Sequence, residues 1–214
     1  MNKDDQFQIS DEQGLHLVKL ARLTLENYQS KGKVITLEIN QDLSRRFGVF
    51  VTLYNVDEFN TFSLRGCIGY ALPAESLARS LVNASIKAAN EDPRFDPVTY
   101  NELQDIVIEI SILSPPIRIT VENIRSKILI GKHGLIIESP SGSGLLLPNV
   151  AFENGWDIIQ FLEHLCFKAG LSGNSWMSPD IRLFSFETIS FREKDPGGRN
   201  NPVEDYSNIK ERYY

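Results

Sequence analysis

Ile106-Val107-Ile108-Glu109-Ile110-Ser111-Ile112-Leu113 is eight residues of β-branched and aliphatic side chains, and Pro115-Pro116 stops it. Such a run, interrupted only by Glu109 and Ser111, has strand composition and so predicts a central strand. Upstream, Gly48-Val49-Phe50-Val51-Thr52-Leu53-Tyr54 and Thr61-Phe62-Ser63-Leu64-Arg65-Gly66-Cys67-Ile68 read as two strands joined by the polar turn at 55–60, which pair as a hairpin. Downstream, Lys127 to Ile130 and Leu135 to Glu138 flank Gly131-Lys132-His133-Gly134, a second predicted hairpin, and Ser139 to Gly144 reads as a loop. Arg182 to Phe191 alternates phenylalanine with polar residues as a last strand, with Phe184 and Phe186 expected in the core.

Helices are interspersed with these strands. Ser10 with Gln13 forms a capping signature ahead of an amphipathic helix whose face carries Leu15, Val18, Ala21, Leu25 and Tyr28, ending near Ser30 to Lys33. Val34 to Ile39 is a candidate extended segment. Pro73 is placed to open a helix bearing Leu77, Leu81, Ala84 and Ala88, which Asp92-Pro93 closes. Thr99 with Glu102 repeats the capping signature for a short helical turn. Trp156 to Ala169 is a third amphipathic helix with Cys166 on its apolar face and Gly170 at its end. Hairpins rather than a strict strand-helix-strand alternation give an α+β fold, a mainly antiparallel sheet flanked by helices with a smaller subdomain. The expected organisation is a domain over 8–194, with a small inserted subdomain, and a polar tail over 195–214 whose glycines, prolines and asparagines contribute little to a core.

Composition narrows the function classes. The chain has 214 residues, 42% of them apolar, which suffices for a real core. Its 22 basic residues against 28 acidic ones give a net charge of −6, which disfavours nucleic acid as a partner and leaves an RNA-related role the weakest reading. Apolar stretches are broken well short of about 18 residues, so no membrane span is expected. The polar N-terminus is not followed by a secretory apolar run, and two isolated cysteines suggest neither a disulfide framework nor a zinc site. A cytoplasmic setting is expected. No glycine-rich dinucleotide or phosphate-binding string occurs, so no cofactor is assigned.

Several blocks resemble the AMMECR-one domain family in the same order. They are Leu64-Arg65-Gly66-Cys67-Ile68-Gly69, Phe50-Val51-Thr52-Leu53, Asp92-Pro93-Arg94-Phe95-Asp96-Pro97-Val98, Ile108 to Leu113, His133 to Ile137, Gly144 to Ala151, Gly155-Trp156 and Cys166 to Leu171. The resemblance covers roughly residues 10 to 193, with departures at Phe62-Ser63, Asn149 and Ser172. It implies a large α+β domain with a smaller subdomain, without fixing a reaction, a substrate or a cofactor. It also implies a pathway association with Memo-like and radical-SAM proteins, which accompany some prokaryotic relatives.

The candidate site follows from strand alternation. Arg65 and Cys67, two residues apart, are expected on one face, where an arginine lowers a thiol's pKa and makes Cys67 a candidate nucleophile. The competing reading is a structural cysteine packed in a glycine-rich strand. His133 is the candidate base, or a turn residue. Glu109, a carboxylate in an apolar strand, needs solvent, a cation or a substrate, with Arg65 and Arg94 as candidate partners. Asp92 and Arg94 read either as a cap with its salt bridge or as substrate-binding groups. His164 and His16 are expected on the surface. The catalytic set is then Cys67, His133 and Glu109, and the binding set Arg65, Asp92 and Arg94. The two function classes are an enzyme with a cysteine-centred site in a cleft, and a non-catalytic module that recognises a small molecule or a protein.

Overall fold

A computed structural model describes residues 7–35, 44–72, 75–198 and 203–205. The described residues divide into two compact units: those up to Leu113 together with those from Ile189 to Asp205, and Ser114–Thr188.

The first unit begins with α1 (Asp11–Lys31). Ser10 caps it: its hydroxyl accepts from the Gln13 amide, and the Gln13 side chain accepts from the Ser10 N–H. Strands β1 (Gly48–Val56) and β2 (Phe62–Tyr70) form the expected antiparallel hairpin. The Asp57 carboxylate holds their turn by accepting from the Phe59 and Thr61 amides. Helix α2 (Leu77–Asn90) follows. It opens on Ser76, whose hydroxyl accepts from the Arg79 amide, rather than on Pro73, which lies outside the described residues. Most of the extended segment expected at 34–39 also lies outside them, and Val34 and Ile35 form no regular element. A short 3-10 turn, Asn101–Asp105, carries the reciprocal bonds foreseen between Thr99 and Glu102.

Strand β3 (Ile106–Leu113) is buried at all eight positions and pairs antiparallel with β1. The core of this unit packs Leu17, Val18, Ala21 and Leu25 of α1, and Leu77, Leu81, Ala84 and Ala88 of α2, against Val51, Leu53, Ile108 and Ile110. That is the alternation of a sheet with one face toward helices: even-numbered isoleucines of β3 point inward while Glu109 and Ser111 point to the other face. Gly66 marks how closely α2 lies on β2, because a Cβ there would stand 2.2 Å from the Ala88 carbonyl oxygen.

In the second unit β7 (Arg182–Glu193), whose residues up to Thr188 belong here, pairs with β4 (Ile117–Ile119) and with β5 (His133–Ser139), and β5 pairs with β6 (Gly142–Leu146). Two expectations are corrected here. Lys127 to Ile130 is not a strand: Ile124–Lys127 is a helical turn (α3), and the amides of Lys132 and His133 both donate to the Leu129 carbonyl. The segment Ser139 to Gly144 is not a loop but the tight turn and first half of β6, with the Ser139 hydroxyl accepting from the Ser141 and Gly142 amides. Gly142 serves close approach rather than a turn, since a Cβ there would lie 2.4 Å from the Ala169 carbonyl oxygen.

Helices α4 (Pro148–Glu153) and α5 (Ile158–Lys168) complete this unit, α5 being capped by Asp157 and Gln160. Its core contains Leu135, Ile137, Phe161, Leu162, Leu165, Cys166 and Leu183. Phe186 is buried and Phe184 half-buried, while Cys166 is fully buried in the core as expected.

The segment after Glu193 has structure where it is described. Pro196–Gly198 forms a turn beside Gln104, and β8 (Val203–Asp205) pairs with Phe191 to Glu193, placing Val203 against the core. Among the described residues no helix is long and apolar enough to cross a membrane.

Candidate functional site

The register of the first unit builds a row of polar side chains. Thr52 of β1 stands opposite Cys67 of β2 on one side and opposite Glu109 of β3 on the other. Partners across antiparallel strands share a face, so Cys67, Thr52 and Glu109 lie side by side on the face turned away from α2. The Thr52 hydroxyl donates to the Cys67 Sγ at 3.3 Å. Ser111 and Ser190, whose hydroxyls meet at 3.0 Å, extend this face onto β7. Arg192, two residues further along β7, lies on the same face with its guanidinium carbon 4.5 Å from the centre of the Phe62 ring.

At the edge of β2 the Cys67 backbone N–H donates to Asp92 Oδ2 at 2.8 Å. Asp92 also accepts from the Arg94 amide, from Arg94 Nε and, at 2.6 Å, from Arg94 Nη2. Asp92 is thus both the turn residue and the ion-pair partner that the sequence allowed, and it gains a third role by holding the strand edge at Cys67. The Arg94 guanidinium keeps the Asp92 carboxyl well below the usual carboxylate range, and the bonds from Cys67 and Arg94 N–H groups reinforce it.

Arg65 stands elsewhere than alternation predicts. A register shift lets Leu53 face Gly66 and Tyr54 face Leu64, so Arg65 is the extra residue of a bulge and escapes the two-residue alternation. Its Nε and Nη2 donate to Glu102 Oε1 at 3.2 and 3.1 Å, and its guanidinium carbon lies 5.9 Å from the centre of the Phe95 ring. Arg94 stands over the same ring at 5.4 Å. The two cations expected beside Glu109 are therefore taken by Glu102 and Asp92. Arg65 Nη1 is buried and meets no acceptor among the described residues. Burial works to raise the Glu102 carboxyl, but the Thr99 and Arg65 donors outweigh it and leave Glu102 below its ordinary value.

The thiol itself is shifted upward. Burial pushes the Cys67 pKa above its ordinary value and outweighs the Thr52 hydroxyl and the Arg94 charge, which pull it down; Asp92 and Glu109 add to the rise. Cys67 is half-buried, and its neutral form is the resting one at physiological pH.

His133 lies in the second unit at the start of β5, and both ring nitrogens are engaged there. Nδ1 accepts from the Leu129 amide at 3.0 Å, and Nε2 faces Glu187 Oε1 at 3.6 Å, a carboxylate that Lys132 also approaches at 3.3 Å. An imidazole accepting at Nδ1 carries its proton on Nε2, so within this cluster His133 acts as a donor. Burial lowers its pKa. His164 is exposed as expected, yet stacks on Trp156 at 3.8 Å between ring centres. Among the described residues no three metal-ligating side chains converge.

Thr52 and Phe95 were not singled out in the sequence, and Glu102 was read there only as the capping partner of Thr99. Thr52 reads there only as a strand residue, although hairpin register would have set it beside Cys67. Phe95 sits in a block already noticed, and neither its contact with Arg65 nor that of Glu102 with Arg65 shows until the chain is folded.

The AMMECR1 family pattern matches residues 18–191. A protein of Methanopyrus kandleri is 45% identical over 194 residues, covering 87% of this chain and 91% of its own. One from Thermococcus gammatolerans is 42% identical over 203 residues, covering 92% and 99%. The crystal structure of the uncharacterised protein PH0010 from Pyrococcus horikoshii is similar with a TM-score of 0.84 and 39% identity, covering 94% of this chain and all of that one.

Proposed function

The chain belongs to the AMMECR1 family, and on that premise we propose that the row Cys67, Thr52 and Glu109, edged by Asp92 and Arg94, is a ligand-binding site whose thiol rests protonated. The observation that carries this reading is the pair of bonds at one residue: Thr52 donates to the Cys67 sulfur while Asp92 accepts from the Cys67 N–H. Both fix the position of the thiol, and burial keeps it neutral. A polar row with a positioned thiol suits recognition of a small molecule or of a segment of another protein. The two free cysteines support a reducing compartment as its setting.

A second reading, catalysis by Cys67, is favoured by a specific feature. The Thr52 hydroxyl and Arg94 both stabilise a thiolate, so a ligand that disturbs the opposing carboxylates activates the sulfur. Native mass spectrometry of the protein incubated with metabolite and peptide libraries separates the two. The binding reading expects a mass gain that Cys67→Ser and Thr52→Val weaken and that denaturation removes. A covalent adduct on Cys67 that forms and decays with substrate supports catalysis. Ligands held equally by wild type and both variants contradict the site assignment.

A further inference from the structure

The Asp92–Arg94 pair is oriented: the Asp92 side chain is 2% exposed and that of Arg94 is 53% exposed. Its negative end is buried against the Cys67 backbone and its positive end faces solvent. Asp92 takes up Arg94 Nε and one Nη2 hydrogen, and the Phe95 ring backs the guanidinium. These contacts preorganise the arginine, so little conformational entropy remains to be lost when an acceptor arrives. The cluster is also donor-rich. Arg65, over the same ring, keeps a buried Nη1 with no acceptor among the described residues, and a buried donor left unmatched is costly. The Arg94 charge reaches the thiol, since it lowers the Cys67 pKa against the opposing terms.

We infer that the ligand taken up beside Cys67 carries an oxyanion, a carboxylate or a phosphate, which Arg94 receives through its outward N–H groups. This rests on the Cys67 site proposed above and adds the charge class of its ligand. A guanidinium fork matches a two-oxygen acceptor better than a single point charge does. Arg94 then sets specificity while Thr52 and Asp92 set the position of the thiol.

The inference is tested with two alkylating probes of similar size and opposite character, anionic iodoacetate and neutral iodoacetamide, on a Cys166→Ser background. Rates at Cys67 are followed by peptide mass, with glutathione as the free-thiol reference measured at matched thiolate fraction. A receptive Arg94 raises the iodoacetate to iodoacetamide ratio above the glutathione ratio by about threefold or more. Arg94→Gln returns it to the reference, Arg94→Lys keeps only part of the gain because a point charge replaces the fork, and inorganic phosphate slows iodoacetate selectively. Thermal unfolding checks that both variants are folded, and Arg94→Lys retains the charge if Arg94→Gln is not. A ratio at or below the reference that neither Arg94 variant nor phosphate moves overturns the anion assignment and leaves the Cys67 site standing. Resistance of Cys67 to both probes overturns the site itself and the inference with it.

Discussion

Two arginine–carboxylate pairs in the first unit share their chemistry and differ in how they are closed. Arg22 of α1 meets Glu193 at the end of β7 wholly inside the protein: Nε and Nη2 donate to the two carboxylate oxygens, and Nη1 and Nη2 donate to the Leu103 and Ile106 carbonyls. Glu193 Oε2 accepts in addition from the Ile108 amide. Burial pushes the Glu193 carboxyl up, while Arg22 and the Ile108 N–H pull it down. Arg94 and Asp92 form an equally bidentate pair, but its cation faces water. A pair buried at both ends, its guanidinium shared among a carboxylate and two backbone carbonyls, ties a helix to two strands and presents no cation to solvent. A pair with its cation outward, fixed beside a thiol, has donors in reserve. That difference, rather than the residue types, separates framework from site.

The closed pair gives the largest expected effect. Arg22→Ala leaves the Glu193 carboxylate buried without its cation and costs about 3–5 kcal/mol, read as a loss in chemical denaturation. A loss below about 1 kcal/mol would place Arg22 among ordinary surface arginines and dissolve the comparison. Gly66→Ala touches neither pair but drives a methyl against the Ala88 carbonyl, moving the strand that carries Cys67. It is expected to cost about 1–3 kcal/mol and to alter the Cys67 alkylation rate. An unchanged rate together with that loss would show that the site tolerates displacement of β2.

Asp92→Asn comes next, at about 1–2 kcal/mol near neutral pH, because an amide accepts these donors less strongly than a carboxylate does. The sign with pH is fixed by the direction of the shift. Asp92 is held below its unfolded value of about 3.9, so its contribution is present above that pH and is lost as the pH falls through the lower folded pKa. The difference between wild type and variant therefore shrinks below about pH 4, measured by urea denaturation across that range. A difference that grows on acidification would reverse the assignment.

How much of this was readable beforehand follows from distance along the chain. The caps at Ser10 and Thr99, the buried run from Ile106 and the hairpin of β1 with β2 rest on neighbours within a few residues, and they appear where local chemistry puts them. Gly131 to Gly134 imitated a hairpin turn because glycine marks turns and close approaches alike, whereas Pro140-Ser141 turns the chain between β5 and β6. Arg22 and Glu193 are 171 positions apart, and no periodicity connects them. The bulge that takes Arg65 out of line is a property of two strands together, so one strand's alternation could not reveal it. Cys67, Asp92 and Arg94 were singled out for their types, but which arginine acts on the thiol needed the fold.

The smallest expected effect belongs to the second unit. His133 is held neutral below its ordinary pKa, so the stability it lends is present above about pH 6.5 and is lost as the pH falls through the depressed value. His133→Gln should flatten the fall in urea midpoint between about pH 7.5 and 5. An unchanged slope would assign that fall to other groups and make the His133–Glu187 contact as inconsequential as an exposed ion pair.

The central claim is a positioned, resting thiol at Cys67, and its pKa tests that most directly. Iodoacetamide alkylation of the Cys166→Ser protein, followed from about pH 6 to 10.5, should give an apparent pKa for Cys67 above the ordinary thiol value of about 8.5. Thr52→Val should raise it further by removing a donor to the sulfur. An apparent pKa below about 8, unmoved by Thr52→Val, would contradict the account and restore the pre-activated nucleophile.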